Sequence, residues 1–489
     1  MNMNVKPKQP LVHLLLILIV GYCVGYAGSS RTNDTTRSSG VINVYFNKSV
    51  DHSIARGELS RVVSLNSKLI ERIDATKFSI DVALYNMSGT VGDGVATALI
   101  RAKSRGVKIR YILEKDEENK VPINRLKAAG VPIINDAFDP INNGSGLMHN
   151  KYLVFDFRDS SSALDDWVWT GSWNVTDPGT NSDMQNVVEI QDQSLAKAYT
   201  MEFEEMWGSS SDLPDASRSR FGFRKLDNTQ HLFTINGTPV ECYFSPSDRT
   251  TSRIITALGN ARHSINFALL TFTRSDIAST LKSKKDAGAK VRGVLDNSTD
   301  TGTQYGYLTS NGMEIRLDPN AGFLHHKYAV VDAERTDLSG IVITGSHNWS
   351  NSAERDHNEN TLIIHSNRIA NLYLQEFAAR YKESGGTDNI VVRLESPLDP
   401  LPESPHLFQN YPNPFNPRTR IEFQVAGHGF VHLEVVDVLG REVAVLVERP
   451  MERGTYGVLW DAGGAPSGLY FYRLQMGTFV ATKGMMLVR

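Results

Sequence analysis

The stretch His149-Asn150-Lys151-Tyr152-Leu153-Val154-Phe155-Asp156 recurs as His325-His326-Lys327-Tyr328-Ala329-Val330-Val331-Asp332. Each copy runs on to a glycine-serine turn, Gly171-Ser172-Trp173-Asn174 in the first and Gly345-Ser346-His347-Asn348 in the second. Between His and Asp the residues are mostly β-branched, aromatic or apolar, so each stretch reads as a strand. Side chains alternate along a strand, so His149 and Lys151 share a face while Asp156, at odd spacing, takes the other. His325, Lys327 and Asp332 repeat this parity.

The correspondence extends upstream, and a repeat of this length fixes the architecture. The strand-like run 79–85 matches 264–270, and a helical stretch follows each, stopping at Gly106 or Gly288. Glycine there takes the backbone conformation that ends a helix. Further strands, 107–114 and 289–296, lead to second helical stretches that close at Gly130 and Gly312, with equal separation between the paired glycines. Strands alternating with helices predict an α/β fold: two repeated α/β/α sandwich halves with helices on both faces of a mixed sheet. The repeats are expected at 41–208 and 238–386, joined by a linker at 209–237.

A chain of 489 residues has room for about three domains. With 40% hydrophobic and 21% charged residues it is globular, neither disordered nor fibrous. The formal net charge of -3 speaks against a polycation that grips nucleic acid through phosphate counterion release. At the N-terminus, Lys6 and Lys8 precede an apolar run from Leu11 to Val20 and then small residues around Gly25, Ala27 and Gly28. This reads as an export signal over 1–28 followed by a polar linker at 29–40, the run being short for a membrane span. An uncleaved anchor is the alternative, and bulky Tyr22 disfavours a lipid on Cys23. Without the signal, Cys242 is the one remaining thiol, which excludes an intramolecular disulfide or a thiolate metal cage.

The paired motifs resemble the His-x-Lys-x4-Asp and Gly-Ser-x-Asn signature of the phospholipase D superfamily, over about residues 41–386. The resemblance implies two halves related by pseudo-twofold symmetry with a single active site between them, a phosphohistidine intermediate and no metal or other cofactor. Each His–Lys pair would supply an imidazole and a cation for one phosphate oxygen. Cleaving a diester through a covalent step needs a nucleophile on one side and an acid on the other, so neither half suffices. Lys151, Lys327, Asn174 and Asn348 would surround the non-bridging oxygens. Ser172 and Ser346 belong to turns suited to close backbone approach. Asp156 and Asp332, on the opposite face, are expected to be structural.

Downstream of the second motif lies Asn358-Glu359-Asn360, where many relatives carry a carboxylate that orients a histidine of the opposite half. The first copy reads Met184-Gln185-Asn186. If the cross-pairing holds, Glu359 backs His149 and Gln185 backs His325. A carboxylate stabilises an imidazole that is becoming positive better than an amide does, which makes His149 the expected nucleophile and His325 the expected general acid. His326 has the wrong parity and is expected to be packed or surface-facing, whereas His347 is a candidate wall residue. The aromatic helix ends Phe203–Trp207 and Tyr373–Tyr381 are expected in the core, and Cys242 as an inert buried thiol.

A proline- and acid-rich linker at 387–405 precedes a third region, 406–489, of short alternating strands with glycine turns. These predict a small immunoglobulin-like β-sandwich. The region resembles the C-terminal sorting domains of type IX secretion substrates, which implies that machinery as a partner and a secreted or surface location; a retained adhesive module is the alternative. The expected activity is hydrolysis, or transfer to an alcohol, at a phospholipid phosphodiester by a monomer with no transmembrane segment in the mature chain. The short repeats also resemble the minimal nuclease and cardiolipin-hydrolase branch, so cleavage of single-stranded nucleic acid outside the cell is the alternative. A catalytically silent surface binding module is a third.

Overall fold

Period-two burial decides how the motif strands sit. Along Lys151–Phe155 every residue is buried, Tyr152 and Val154 in one core and Leu153 and Phe155 in another. Tyr328 and Val330 likewise share the first core, while Ala329 and Val331 lie in a third. Each motif strand is therefore sandwiched, which is why its sequence runs nearly continuously apolar. The computed structural model describes residues 40–56, 58–159, 162–335, 338–388, 390, 404–451 and 453–488. The expected export signal at 1–28 and most of the linkers at 29–40 and 387–405 lie outside the described residues.

The first repeat contains β1 (Ile42–Phe46), β2 (Arg61–Val62), β3 (Ser79–Leu84), β4 (Lys108–Leu113), β5 (Ile133–Asn135), β6 (Lys151–Phe155), β7 (Trp167–Gly171) and β8 (Asn186–Gln191). They form one sheet in the order β2-β1-β8-β7-β6-β3-β4-β5. The second contains β9 (Leu232–Ile235), β10 (Thr238–Ser245), β11 (Ser264–Leu269), β12 (Lys290–Leu295), β13 (Glu314–Leu317), β14 (Lys327–Val331), β15 (Ile341–Gly345) and β16 (Glu359–His365). Its order, β13-β12-β11-β14-β15-β16-β10-β9, matches the first from the β5/β13 edge inward through β1/β10. Within each sheet β3–β4–β5 and β11–β12–β13 are parallel and the motif strands antiparallel to them, giving the mixed α/β sheet.

Helices 65–75 and 89–104 cover the outer face of the first sheet, and 250–259 and 275–286 that of the second. Between the sheets lie Gln193–Trp207 and Asn367–Glu383. Their Phe203, Trp207, Tyr373 and Tyr381 sit in the shared inner core with Cys242, so the aromatic helix ends are core. Truncating such an aromatic typically costs about 3–5 kcal/mol. The helices before β4 and β12 end at Gly106 (φ 97°) and Gly288 (φ 96°), both left-handed, which only glycine adopts without strain. The stretch 209–237 is folded rather than a loose connection: Phe221 is in the inner core, Lys225 is buried against Glu202, and β9 extends the second sheet. Its pattern of serines and charges resembles a linker because it packs through single anchoring side chains.

Beyond residue 404 two antiparallel sheets face each other: β17 (His406–Leu407), β18 (Arg418–Val425) and β21 (Gly454–Asp461) against β20 (Glu442–Met451), β19 (Gly429–Val436), β22 (Gly468–Met476) and β23 (Phe479–Leu487). Their inner faces share Phe423, Leu433, Trp460 and Tyr472. Among the described residues no helix is long and apolar enough to cross a membrane.

Candidate active site

The two motif strands begin where the repeats meet. Asp156 and Asp332 follow β6 and β14 with φ of 60° and 55°. The Asp156 carboxylate accepts the backbone N–H groups of Lys77, Phe78 and Ser79, and that of Asp332 those of Arg262, His263 and Ser264. They pin the start of β3 and β11 and lie away from the histidines. At the other end, Glu114 accepts the N–H of Met148 at 2.7 Å and Asp296 that of Leu324 at 2.8 Å, fixing the residue just before each motif histidine.

Support for each histidine crosses between the repeats. His149 Nδ1 is 2.9 Å from both carboxylate oxygens of Glu359. His325 Nδ1 is 3.0 Å from the Ser172 carbonyl and 3.0 Å from Gln185 Oε1. All these partners are acceptors, so each Nδ1 carries the proton and each Nε2 is left for the cleft. Lys151 donates to the carbonyl of His149 at 2.7 Å and Lys327 to that of His325 at 2.9 Å. Each ammonium thus keeps two further N–H donors. All four motif side chains are buried.

Burial and two neighbouring ammonium groups shape the titration. His149 is held well below the imidazole range, first by burial and then by Lys151 and Lys327. His325 is lowered by burial, then Lys327 and Lys151, and by His149 itself, so both rings share one electrostatic enclosure. Burial brings Lys151 down to about 7 and pushes Lys327 well down, Lys151 adding to the latter. Glu359 is raised by burial, against the pull of Lys151. An incoming phosphodiester monoanion would restore charge to both ammonium groups and to one of the two rings.

The turns close the site. A Cβ on Gly171 would lie 2.2 Å from the Asn186 carbonyl oxygen, and on Gly345 2.2 Å from that of Asn360, so both turns require glycine. Ser172 Oγ donates to Gln185 Oε1 at 2.8 Å, and Ser346 Oγ accepts the Asn360 N–H at 3.0 Å. The acceptor Oδ1 atoms of Asn174 and Asn348 and the donor Gln185 Nε2 are buried without partners. His326 is packed, between Asn186 at 3.1 Å and Glu376 at 3.0 Å. His347 is buried, its Nε2 3.6 Å from Glu354, where the sister repeat has Trp173 donating to Thr180 at 3.0 Å. Tyr85, with its ring 5.0 Å from that of His149 and 5.0 Å from Lys151 Nζ, also lines the site.

Sequence reasoning missed the layer beneath. Asn360 accepts from Thr170 at 2.6 Å and Tyr199 at 3.1 Å and donates to Asn150 at 3.0 Å, all in the other repeat. Asn186 donates to Thr344 and Tyr373, each at 2.8 Å, again across the interface. Two short parallel bridges, Met148 with Asn358 and Met184 with Leu324, complete the seam. The signal was present: an asparagine one residue after Gln185 and another one after Glu359. Among the described residues, the grouping with metal-ligand spacing is Asp227, His231 and Asp248, which includes no motif residue.

Paired histidine–lysine strands meeting at one seam are the arrangement of a phospholipase D-like fold, and the chain belongs to that family: the model described as cardiolipin synthase, PLD-like domain, matches residues 69–207 and 254–381, more than half of the chain. Residues 409–488 match a secretion system C-terminal sorting domain, which assigns the protein to type IX secretion and so to the cell surface or extracellular space. Mouse mitochondrial cardiolipin hydrolase is 31% identical over 144 residues, covering 29% of this chain and 62% of that protein. The phospholipase D of Rickettsia conorii is 30% identical over 133 residues, covering 27% of this chain and 58% of that protein. The chain thus spans about three fifths of the length of these relatives. The structure of phosphatidylserine synthase from Haemophilus influenzae is similar at 14% identity and a TM-score of 0.46, covering 65% of this chain and 83% of that one.

Proposed function

We propose that the protein is a secreted phosphodiesterase that cleaves phospholipid headgroups through a phosphohistidine, without a metal ion. The observation that carries this reading is the crossed backing of the two imidazoles, Glu359 behind His149 and Gln185 behind His325. In the first step His149 Nε2 attacks phosphorus, the bond to the leaving alcohol breaks, and His325, having taken up a proton on Nε2 as the anionic phosphodiester bound, gives it to that oxygen. Positive charge grows on the His149 ring as the N–P bond forms, and Glu359 offsets it. Lys151 and Lys327, recharged by the bound phosphate, face the non-bridging oxygens with Asn174 and Asn348. In the second step water, deprotonated by His325, attacks phosphorus from the vacated side; the N–P bond breaks and the phosphomonoester leaves. An alcohol in place of water gives transfer.

Phospholipid is favoured over nucleic acid because the net charge is negative and the relatives named above are lipid hydrolases. Two measurements test the reading. A denaturing quench at alkaline pH, where the N–P bond survives, followed by mass spectrometry should find the esterified phosphoryl group on His149 and none in His149→Ala; an adduct on His325 would reverse the roles. Headgroup release from vesicles should exceed cutting of single-stranded DNA, both in EDTA. Faster DNA cleavage makes the protein a nuclease, and no turnover of an activated soluble diester makes it a binding module.

A further inference from the structure

Three large apolar side chains stand in water on loops that root beside the cleft. Ile141 is 63% exposed, Phe223 66% and Phe323 58%. One buried carboxylate, Asp139, clamps the first two loops: it accepts the N–H groups of Ile141 at 2.9 Å and Phe221 at 3.0 Å and pairs with Arg224. Gly222 in turn donates to Asn358, the neighbour of Glu359, at 2.8 Å. On the opposite flank Phe323 donates to Asp183 at 3.1 Å and accepts from Met184, the neighbour of Gln185, at 2.8 Å. The tips are therefore held rigidly, on both sides of the seam that carries the histidines.

Exposed apolar side chains scattered singly need no explanation, but rigid ones gathered around a site mark an interaction surface. Phe223 also borders a depression of about 430 Å³ lined by Lys225, Arg274, Arg355 and Glu354. Lys225 and Arg274 are paired with Glu202 and Asp276, whereas Arg355 has no carboxylate partner among the described residues. Apolar tips beside a free cation complement an anionic lipid interface. A single-stranded polynucleotide would instead ask for aromatic platforms along a cationic groove, and Ile141 offers no ring to stack on.

We propose that Ile141, Phe223 and Phe323 form an apolar rim that dips into the headgroup–acyl boundary of an anionic lipid surface and brings a phosphodiester to the cleft. The proposal rests on the phospholipid reading above and deepens it. The test is flotation of the full chain with equimolar phosphatidylglycerol–phosphatidylcholine vesicles, comparing wild type with a triple Ile141→Ser, Phe223→Ser, Phe323→Ser variant. Vesicle affinity and vesicle turnover should fall by roughly a hundredfold in the triple variant, from three lost apolar insertions. Turnover of bis(p-nitrophenyl) phosphate and the melting temperature report an intact site and fold. Where the triple variant melts early, the single variants carry the test, each expected to lose several-fold in vesicle affinity.

Unchanged vesicle affinity overturns the rim, as does a variant that loses affinity for single-stranded DNA rather than for vesicles. The two readings fail separately. A wild type that floats through the rim yet releases no headgroup retains the surface and loses the substrate; headgroup release that the triple variant matches on vesicles retains the substrate and loses the rim.

Discussion

Replacing Glu359 with Gln keeps the shape and one hydrogen bond of the group behind His149 and removes its charge. The Nδ1 to carboxylate distance is 2.9 Å with both residues buried. With charge centres about 4 Å apart and an effective dielectric near 20, carboxylate and imidazolium attract by about 4 kcal/mol. An amide retains about 1 kcal/mol of neutral hydrogen bond. The difference, about 3 kcal/mol, appears only as the ring gains charge, so phosphohistidine formation should slow by roughly a hundredfold. Stability should move the other way. Burial raises Glu359, so above the ordinary carboxylate range its charge disfavours the folded state, and Glu359→Gln should melt no lower than wild type at neutral pH. Single-turnover kinetics on an activated diester, with thermal melting alongside, make the comparison. A rate within about threefold of wild type would refute the reasoning, as would a loss that merely tracks unfolded protein.

Three further outcomes follow from the same geometry. In the free enzyme Lys151 keeps its charge only below about 7, and His325, the proposed acid, is held well below the imidazole range, so kcat/KM for a soluble diester should already decline with pH on the acid side of 7 and fall further through about 7; a rate climbing steadily toward alkaline pH contradicts this. Asp156→Ala leaves the Lys77, Phe78 and Ser79 N–H groups without their acceptor and puts alanine at φ 60°, costing about 3 kcal/mol in chemical denaturation while the folded fraction retains its turnover. Asn360→Leu strips partners from Thr170, Tyr199 and Asn150 together and should cost about 3–4 kcal/mol, more than Asn174→Leu, whose Oδ1 bonds to nothing; equal midpoints would deny the seam its weight.

What could be read from the chain follows the range of the interactions. Parity along 149–156, the glycine stops at 106 and 288 and the separation of Asp156 from the histidines are local consequences of strand and helix geometry, and the repeat doubled each signal. The opposite parity of His326 took it off the face of His325 and Lys327 without choosing between core and surface; it lies packed between Asn186 and Glu376. Which group stands behind which imidazole is a contact across 210 residues for His149 and Glu359, and spacing is silent on it; only the resemblance pointed there. The Ser172 carbonyl behind His325 is backbone, and so invisible to any residue pattern. The stretch 209–237 has the composition of a linker although it is folded, because Phe221 and Lys225, which seat it, are isolated among polar neighbours.

The seam of crossed asparagines and paired bridges also governs how the cleft is reached. Because each imidazole borrows its support from the other repeat, any motion that parted the halves like the covers of a book would strand both rings at once. A ligand is therefore expected to enter with the halves joined, and damage to the join should disable both rings in a single step.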